Sequence, residues 1–526
     1  MELLEYTPRL LYVVVVVVVA VVIYTLSSVG PWRKGRADFR LPPGPKAVPL
    51  LGNVHQLPLQ NQHKFFSSWS SKYGDVIFAQ LFRTPTIIIN SFQVAQDLLD
   101  KKSSKYSYRP RFVLLAELMG WDNVITHMTY GERFRKHRRW IADAFQNKDS
   151  LKSYRPLQYK ETYILLSGLL QNPGDVRLHL RRFAAAMIMK IAYGHTVTSI
   201  DDKYIHIAES AAKETVEAGG PGSMLVDFFP FLTLWPLWFP GAGFKRKAFE
   251  VRALVRNMLD TPFNMVKNAM LSGTASPCFT ASLLEEMINS KSPTEEDEDD
   301  IKGAAGVLYG ASTDTTVAVL STFVLAMVLH PDVYKKAQEE VDRVVGSDRL
   351  PVFEDRISLP YLECVIREVY RWNCPVPLGI PHKVMQDDSY RDYDIPGGSM
   401  VIPNIWAMVQ DHEHYPAPES FRPERFLEMS HDVADTRDPR NMVFGFGRRA
   451  CPGKQFADTS IWLVVANMIA TLDISKTTDF RGDPVTPQAA FISGFVSHPE
   501  PFVCNVAPRS DKIAEMVSEL NANAVV

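Results

Sequence analysis

The chain has 526 residues, 46% of them apolar and 22% charged, with a formal charge of −2. This is ordinary globular composition with enough length for a deep core, and it carries no basic field that would draw in nucleic acid. Five scattered cysteines, without a CxxC or a paired spacing, exclude a disulfide framework and indicate a reducing compartment, with which the absence of any N-x-S/T sequon agrees.

Residues 1–9 hold Glu2, Glu5 and Arg9, and from Leu10 to Leu26 the sequence LLYVVVVVVVAVVIYTL is uncharged. At about 1.5 Å per residue such a run just crosses the roughly 30 Å core of a bilayer. Lipid obliges the backbone to close its own hydrogen bonds, so even a valine-rich run forms a helix there. Arg33, Lys34, Arg36 and Arg40 follow at once, and the positive-inside bias places everything after them in the cytosol. A cleaved signal peptide is the rival reading, but a basic leading region and an A-x-A-like site are both missing. The expectation is a transmembrane anchor over 10–30.

Leu41 to Asn53, LPPGPKAVPLLGN, cannot continue a helix, because proline fixes φ and withholds an amide hydrogen. It reads as a stiff spacer closing a basic and proline-rich hinge, 31–53. From there to about residue 370 the texture is mostly helical, with apolar residues recurring at three and four over Ser91–Asp100, Tyr154–Gln171, Arg181–Tyr193, Phe249–Leu271 and Ile301–Leu329. The run Glu295–Asp300, EEDEDD, reads as a solvated acidic turn preceding a helix N-terminus. Phe228 to Phe244 is the most aromatic stretch, either packed core or a segment dipping into a membrane interface. Between about 374 and 404 short strands joined by Asp- and Gly-containing turns are predicted. A Pro-, His- and Asp-rich loop and a helix from Lys454 to Leu472 complete the chain order.

The stretch with most chemical content is FGFGRRACPG, Phe444 to Gly453. Its glycines let a backbone loop approach a flat macrocycle and take conformations closed to other residues. A thiolate at Cys451 would donate strongly to iron and favour O–O cleavage, with nearby amides and the start of the following helix keeping it deprotonated. The pattern F-x-x-G-x-R-x-C-x-G, met by Phe444, Gly447, Arg449, Cys451 and Gly453, resembles the haem-binding signature of the cytochrome P450 family.

That resemblance covers the chain after residue 41 and implies a mainly α, single-domain fold with a small β-rich lobe, occupying 54–526. It implies haem b, with Cys451 as axial ligand and Phe444 in the haem loop. Arg449, Arg138, Arg109 and His382 resemble the family's propionate partners. An ExxR spacing recurs along the chain, but Glu368–Arg371, on a predicted helix, is the copy that Arg425 of FRPERF would complete as a structural ion network. Asp314 and Thr315, in ASTDTT from Ala311 to Thr316, match the acid–alcohol pair that delivers protons to oxygen. Two positions depart from the pattern: Ser312 replaces a glycine, and Phe134 stands where a tryptophan would supply an indole N–H. Phe112, Leu114, Trp121, Val376, Leu378, Phe491 and Phe495 are implied on substrate-facing segments, which suits a lipophilic ligand.

The implied reaction is a monooxygenation with O2 and NADPH-derived electrons. They would pass through a membrane-bound NADPH–cytochrome reductase, with cytochrome b5 as a second donor, because the chain has no nicotinamide or flavin motif of its own. The implied location is the endoplasmic reticulum membrane, single-pass, with a cytosolic body. The tone of the sequence is similar to that of fungal members acting on secondary metabolites, terpenoids first, then polyketides and indoles. An O2-independent haem-thiolate isomerase or dehydratase, and a non-catalytic haem sensor, are the alternatives.

Overall fold

A computed structural model describes residues 38–219, 225–289 and 294–525; the expected anchor over 10–30 lies outside them. The longer helices are α1 (Gln62–Tyr73), α2 (Glu132–Phe145), α3 (Arg155–Gln171), α4 (Val176–Tyr193), α5 (Lys203–Ala218) and α6 (Gly243–Leu271). They continue with α7 (Phe279–Ile288), α8 (Glu295–Leu329), α9 (Pro331–Val345), α10 (Pro360–Trp372), α11 (Lys454–Thr471) and α12 (Asp511–Val525). The strands are β1 (Val76–Leu81), β2 (Thr84–Ile89), β3 (His382–Lys383), β4 (Asp388–Tyr390), β5 (Tyr393–Ile395), β6 (Met400–Pro403), β7 (Leu472–Ser475) and β8 (Asn505–Pro508). The fold is therefore mostly helical with small sheets.

The axis of the molecule is α8, which packs against α4, α6, α10 and α11. It is long and apolar enough to cross a membrane, but 67% of its most apolar stretch is buried by other helices, which marks a core helix. Its start is fixed by a capping box: Thr294 Oγ1 accepts from Asp297 N at 3.2 Å, and Asp297 Oδ2 accepts from Thr294 N at 3.0 Å. The acidic run is thus the first turns of α8, and not a solvated turn before it. The reason is a wall of cations: Arg133 and Lys136 on α2 pair with Asp300, and Lys267 on α6 pairs with Glu298.

The sheet corrects a second expectation. β1 and β2 fall in the region that reads as mostly helical. In the four-stranded sheet, ordered β1-β2-β6-β3, β2 is central, antiparallel to β1 and parallel to β6, with Ile87 opposite Val401. Ile87, Ile88 and Ile89 are all fully buried, so the strand shows a continuous apolar run with no alternation to betray it. The proline-rich segment is docked along this sheet, where Phe78 N donates to Pro43 O at 3.0 Å. β3 to β6 occupy the stretch predicted for short strands.

The aromatic stretch divides between its two readings. Phe228 and Phe229 pack their rings on Phe82, each 5.1 Å away, whereas Leu234 is 82% exposed and Trp238 79%.

Candidate haem-thiolate site

The loop before α11 is shaped by two glycines with positive φ, Gly445 at 73° and Gly447 at 54°. A Cβ on Gly447 would stand 2.2 Å from Leu99 O, so only glycine fits there. Cys451 N closes the loop on Phe444 O at 2.7 Å, and the Phe444 ring meets Tyr370 edge-on at 5.6 Å. Cys451 is surrounded by protein, yet its side chain keeps accessible surface, the situation of a group on the floor of a cavity. Burial pushes its thiol up, opposed by the Gly453 amide, Arg138 and Lys454.

Around this loop three guanidiniums converge. Arg138 Nη1, from α2, donates to Ala450 O at 2.6 Å. Arg449 donates to Ser107 O, Ile125 O and Met128 O at 2.7, 3.1 and 2.8 Å. Arg109 donates to Thr126 O, Ile380 O and Pro381 O, binding the segment before β3. His382 Nδ1 donates to Tyr106 O at 2.8 Å, which leaves Nε2 as the variable nitrogen. Burial lowers all three arginines; Arg449 adds to the effect at Arg109, as Arg138 does at Arg449. Burial, with the nearby Arg109 and Arg449, also pulls His127 down to about 3 and His382 well below its ordinary value.

None of Arg109, Arg138 and Arg449 has a carboxylate partner among the described residues. Buried cations persist only beside an anion. The two propionates of haem b supply that charge, the thiol suits its iron, and the glycine loop allows close approach, so the donor set fits the group. The Phe134 departure has a local answer: its buried ring lies beneath the Arg449 guanidinium, whose carbon is 3.9 Å from the ring centre.

The ion network predicted from ExxR is present and buried. Arg371 donates to both oxygens of Glu368 at 2.8 Å, and Arg425 Nε donates to Oε1 at 3.1 Å, with all three side chains at most 1% exposed. Their remaining N–H groups reach the carbonyls of Val409, Pro416, Ala417 and Ser420.

On α8, most residues from Ile301 to Val328 are buried, yet Gly310, Ala311 and Asp314 are exposed. This core helix therefore keeps a short open face. Thr315 Oγ1 donates to Ala311 O at 2.8 Å, and His498 Nε2 donates to Asp314 Oδ1 at 2.9 Å. Burial works against ionisation of Asp314, but His498, Arg177 and Arg181 outweigh it and hold the carboxyl below its ordinary range. Ser312 is half-buried beside this face.

The substrate-facing residues divide. Val376 and Leu378 are half-buried and Phe495 is exposed. Phe112 and Leu114 are buried, and Val113–Leu118 forms a π-helical turn. Trp121 Nε1 donates to Thr215 Oγ1 at 3.2 Å, and Phe491 sets its ring edge-on to Trp372 at 5.3 Å, both packing contacts. His498 is the one site residue with no signal in the sequence, since it meets Asp314 across 184 positions.

Helix-wrapped core, cysteine loop and buried Glu-Arg-Arg network together define a haem-thiolate protein. Residues 42–506 match the family model for cytochrome P450. The chain is 47% identical to cytochrome P450 monooxygenase 136 of Postia placenta, over 94% of this chain and 93% of the relative. It is 42% identical to cytochrome P450 monooxygenase claR of Ampulloclitocybe clavipes, over 96% and 93%. With a tryptamine 4-monooxygenase of Psilocybe cyanescens it shares 38% identity over 91% and 95%. The chain belongs to the cytochrome P450 family. It is accordingly a monooxygenase of the kind that binds haem b through a cysteine thiolate.

Proposed function

We propose that this chain inserts one oxygen atom from O2 into a lipophilic secondary metabolite, a terpenoid before a polyketide or an indole. The exposed Asp314 face on an otherwise buried α8, with an ionised carboxyl at the position preceding the Thr315 hydroxyl in the chain, carries this reading. In it Cys451 holds the iron, Arg109, Arg138, Arg449 and His382 hold the propionates, and Phe444 lies in the haem loop. Bound haem supplies the redox chemistry of oxygen activation. Asp314 takes up a proton from solvent and Thr315 Oγ1 passes it toward oxygen, a task that an isomerase or dehydratase does not need.

Electrons come from NADPH through a membrane-bound cytochrome reductase, with cytochrome b5 as second donor. Placement as a single-pass protein of the endoplasmic reticulum is supported by the uncharged run 10–26 and by exposed Leu234, Leu237 and Trp238. Half-buried apolar Val376, Leu378 and Ile380 support a lipophilic substrate. The tryptamine relative keeps indoles in the test panel. The test incubates the full chain with reductase and NADPH against terpenoids, polyketides and indoles. Oxygenated product formed only in air is expected; substrate turnover without O2 would overturn the reading in favour of the isomerase or dehydratase.

A further inference from the structure

Asp314 is the acid of the proposed relay, and what holds it comes from outside its own helix. His498 lies in the segment between α11 and β8 and donates through Nε2 to Oδ1 of Asp314 at 2.9 Å. The other carboxylate oxygen, Oδ2, has no protein hydrogen bond among the described residues. One oxygen is therefore clamped and the other is open to accept and release a proton.

The clamp is itself held in place. His498 is 7% exposed. Its neighbour Ser497 donates from N to Pro375 O and from Oγ to Asn373 Oδ1, both at 2.8 Å. Asn373 Nδ2 donates to Thr322 Oγ1, at 3.0 Å, on the same helix as Asp314. These groups are buried, so the imidazole is fixed relative to α8 before any substrate arrives.

The second ring nitrogen, Nδ1, is buried without a partner among the described residues, as are Arg177 Nε and Ser321 Oγ. All three residues line one cleft of about 310 Å³, together with Glu500, Phe502 and Cys504. Such a cleft offers hydrogen-bonding positions that water can fill, on the side of the His498 ring away from Asp314. Arg177 and Arg181 also act on Asp314, both as cations.

We propose that His498 is the positioning residue of the proton relay, fixing one oxygen of Asp314 so that the other serves Thr315. This rests on the oxygenase reading of Asp314 and Thr315. No bond to substrate is made or broken at His498; it donates its Nε2–H throughout and the moving proton passes through Oδ2 of Asp314.

The test compares His498→Leu, which removes the donor, with His498→Gln, which keeps one. Both are expected to give the ferrous carbon monoxide spectrum of an intact thiolate-ligated haem, which checks folding. With reductase and NADPH, His498→Leu should lower product formed per NADPH by about ten- to a hundredfold, the usual cost of losing an orienting partner, and raise the solvent isotope effect. His498→Gln should recover most of it. Independently of turnover, the infrared C–O stretch of the carbon monoxide complex should broaden or split in His498→Leu, as Asp314 takes several positions, and stay single in His498→Gln. Wild-type coupling and an unchanged C–O band in His498→Leu would overturn the clamp. An inactive wild type whose band still splits in His498→Leu would instead remove the oxygenase reading and leave the clamp standing.

Discussion

The Arg449 guanidinium stacks on the buried Phe134 ring at 3.9 Å, while donating to the carbonyls of Ser107, Ile125 and Met128. Phe134 therefore acts on the haem pocket through the arginine and needs no hydrogen-bond donor of its own. Phe134→Leu keeps most of the buried volume but loses the π face, at a cost of about 0.5–2 kcal/mol. Phe134→Ala adds a cavity and should cost about 3–5 kcal/mol. The expected order of thermal midpoint and of haem retained through gel filtration is wild type, then Phe134→Leu, then Phe134→Ala.

Glu368 holds two buried guanidiniums, and its Oε1 also accepts from Arg422 N at 2.8 Å. Glu368→Gln would leave Arg371 and Arg425 as uncompensated buried charges, a loss of about 3–5 kcal/mol. The prediction is a sharp drop in soluble, haem-loaded protein on expression and a lower urea midpoint for what remains. Glu340→Gln provides the contrast, at a second ExxR spacing, Glu340–Arg343, which lies within α9. Among the described residues Glu340 accepts only from two backbone amides, Tyr361 N and Leu362 N, and an amide oxygen can still accept from one of them. Its effect should be about 1–2 kcal/mol.

These two cases show what the sequence can and cannot convey. The cysteine loop and the Glu368 network were legible because their geometry is set by local backbone and by residue types that tolerate no substitute: Gly447 against Leu99, and a buried carboxylate between arginines. Helices α3, α4, α6 and α8 were legible from apolar periodicity. β2 was not, because a strand buried on both faces loses the alternation that would mark it. The acidic run misled because its partners, Arg133, Lys136 and Lys267, come from helices distant in the chain. For the same reason the histidine on Asp314 gives no signal in the sequence, and Phe134 reads as a departure because Arg449, which stacks on it, is remote in the chain.

Asp300 joins α8 to α2, with Oδ2 2.8 Å from Lys136 Nζ and Oδ1 3.0 Å from His137 Nε2, and with Arg133 as a further partner. Burial resists its ionisation, but the contacts with His137, Lys136 and Arg133 win and hold the carboxyl well below its ordinary range. A folded value below the unfolded value of about 3.9 contributes stability that is fully present above that pH and is lost as the pH falls through the folded value. The wild type should therefore lose stability on acidification from about pH 4 downward. Asp300→Asn should be less stable at neutral pH, and its difference from wild type should shrink as the pH falls. Thermal midpoints measured for both proteins from neutral to acid pH would check this, and a difference independent of pH would refute it.

Gly447 couples the cysteine loop to the turn at Leu99. Its φ of 54° is unfavourable for a side-chain-bearing residue, and its N–H donates to Asp100 Oδ1. Gly447→Ala would meet Leu99 O at 2.2 Å, so the loop must shift or the turn must open. Strain of this kind costs about 1–3 kcal/mol, and here it falls on the segment that sets the height of Cys451. The expected outcome is a protein that still folds but retains less haem and shows a weakened thiolate signature in its ferrous carbon monoxide spectrum. Gly453→Ala makes the useful comparison, because a Cβ there would find Cys451 Sγ as its near neighbour, at 4.0 Å, an ordinary contact. Haem content per chain should therefore fall much further for Gly447→Ala than for Gly453→Ala, and equal losses would mean that the Leu99 contact does not govern the loop.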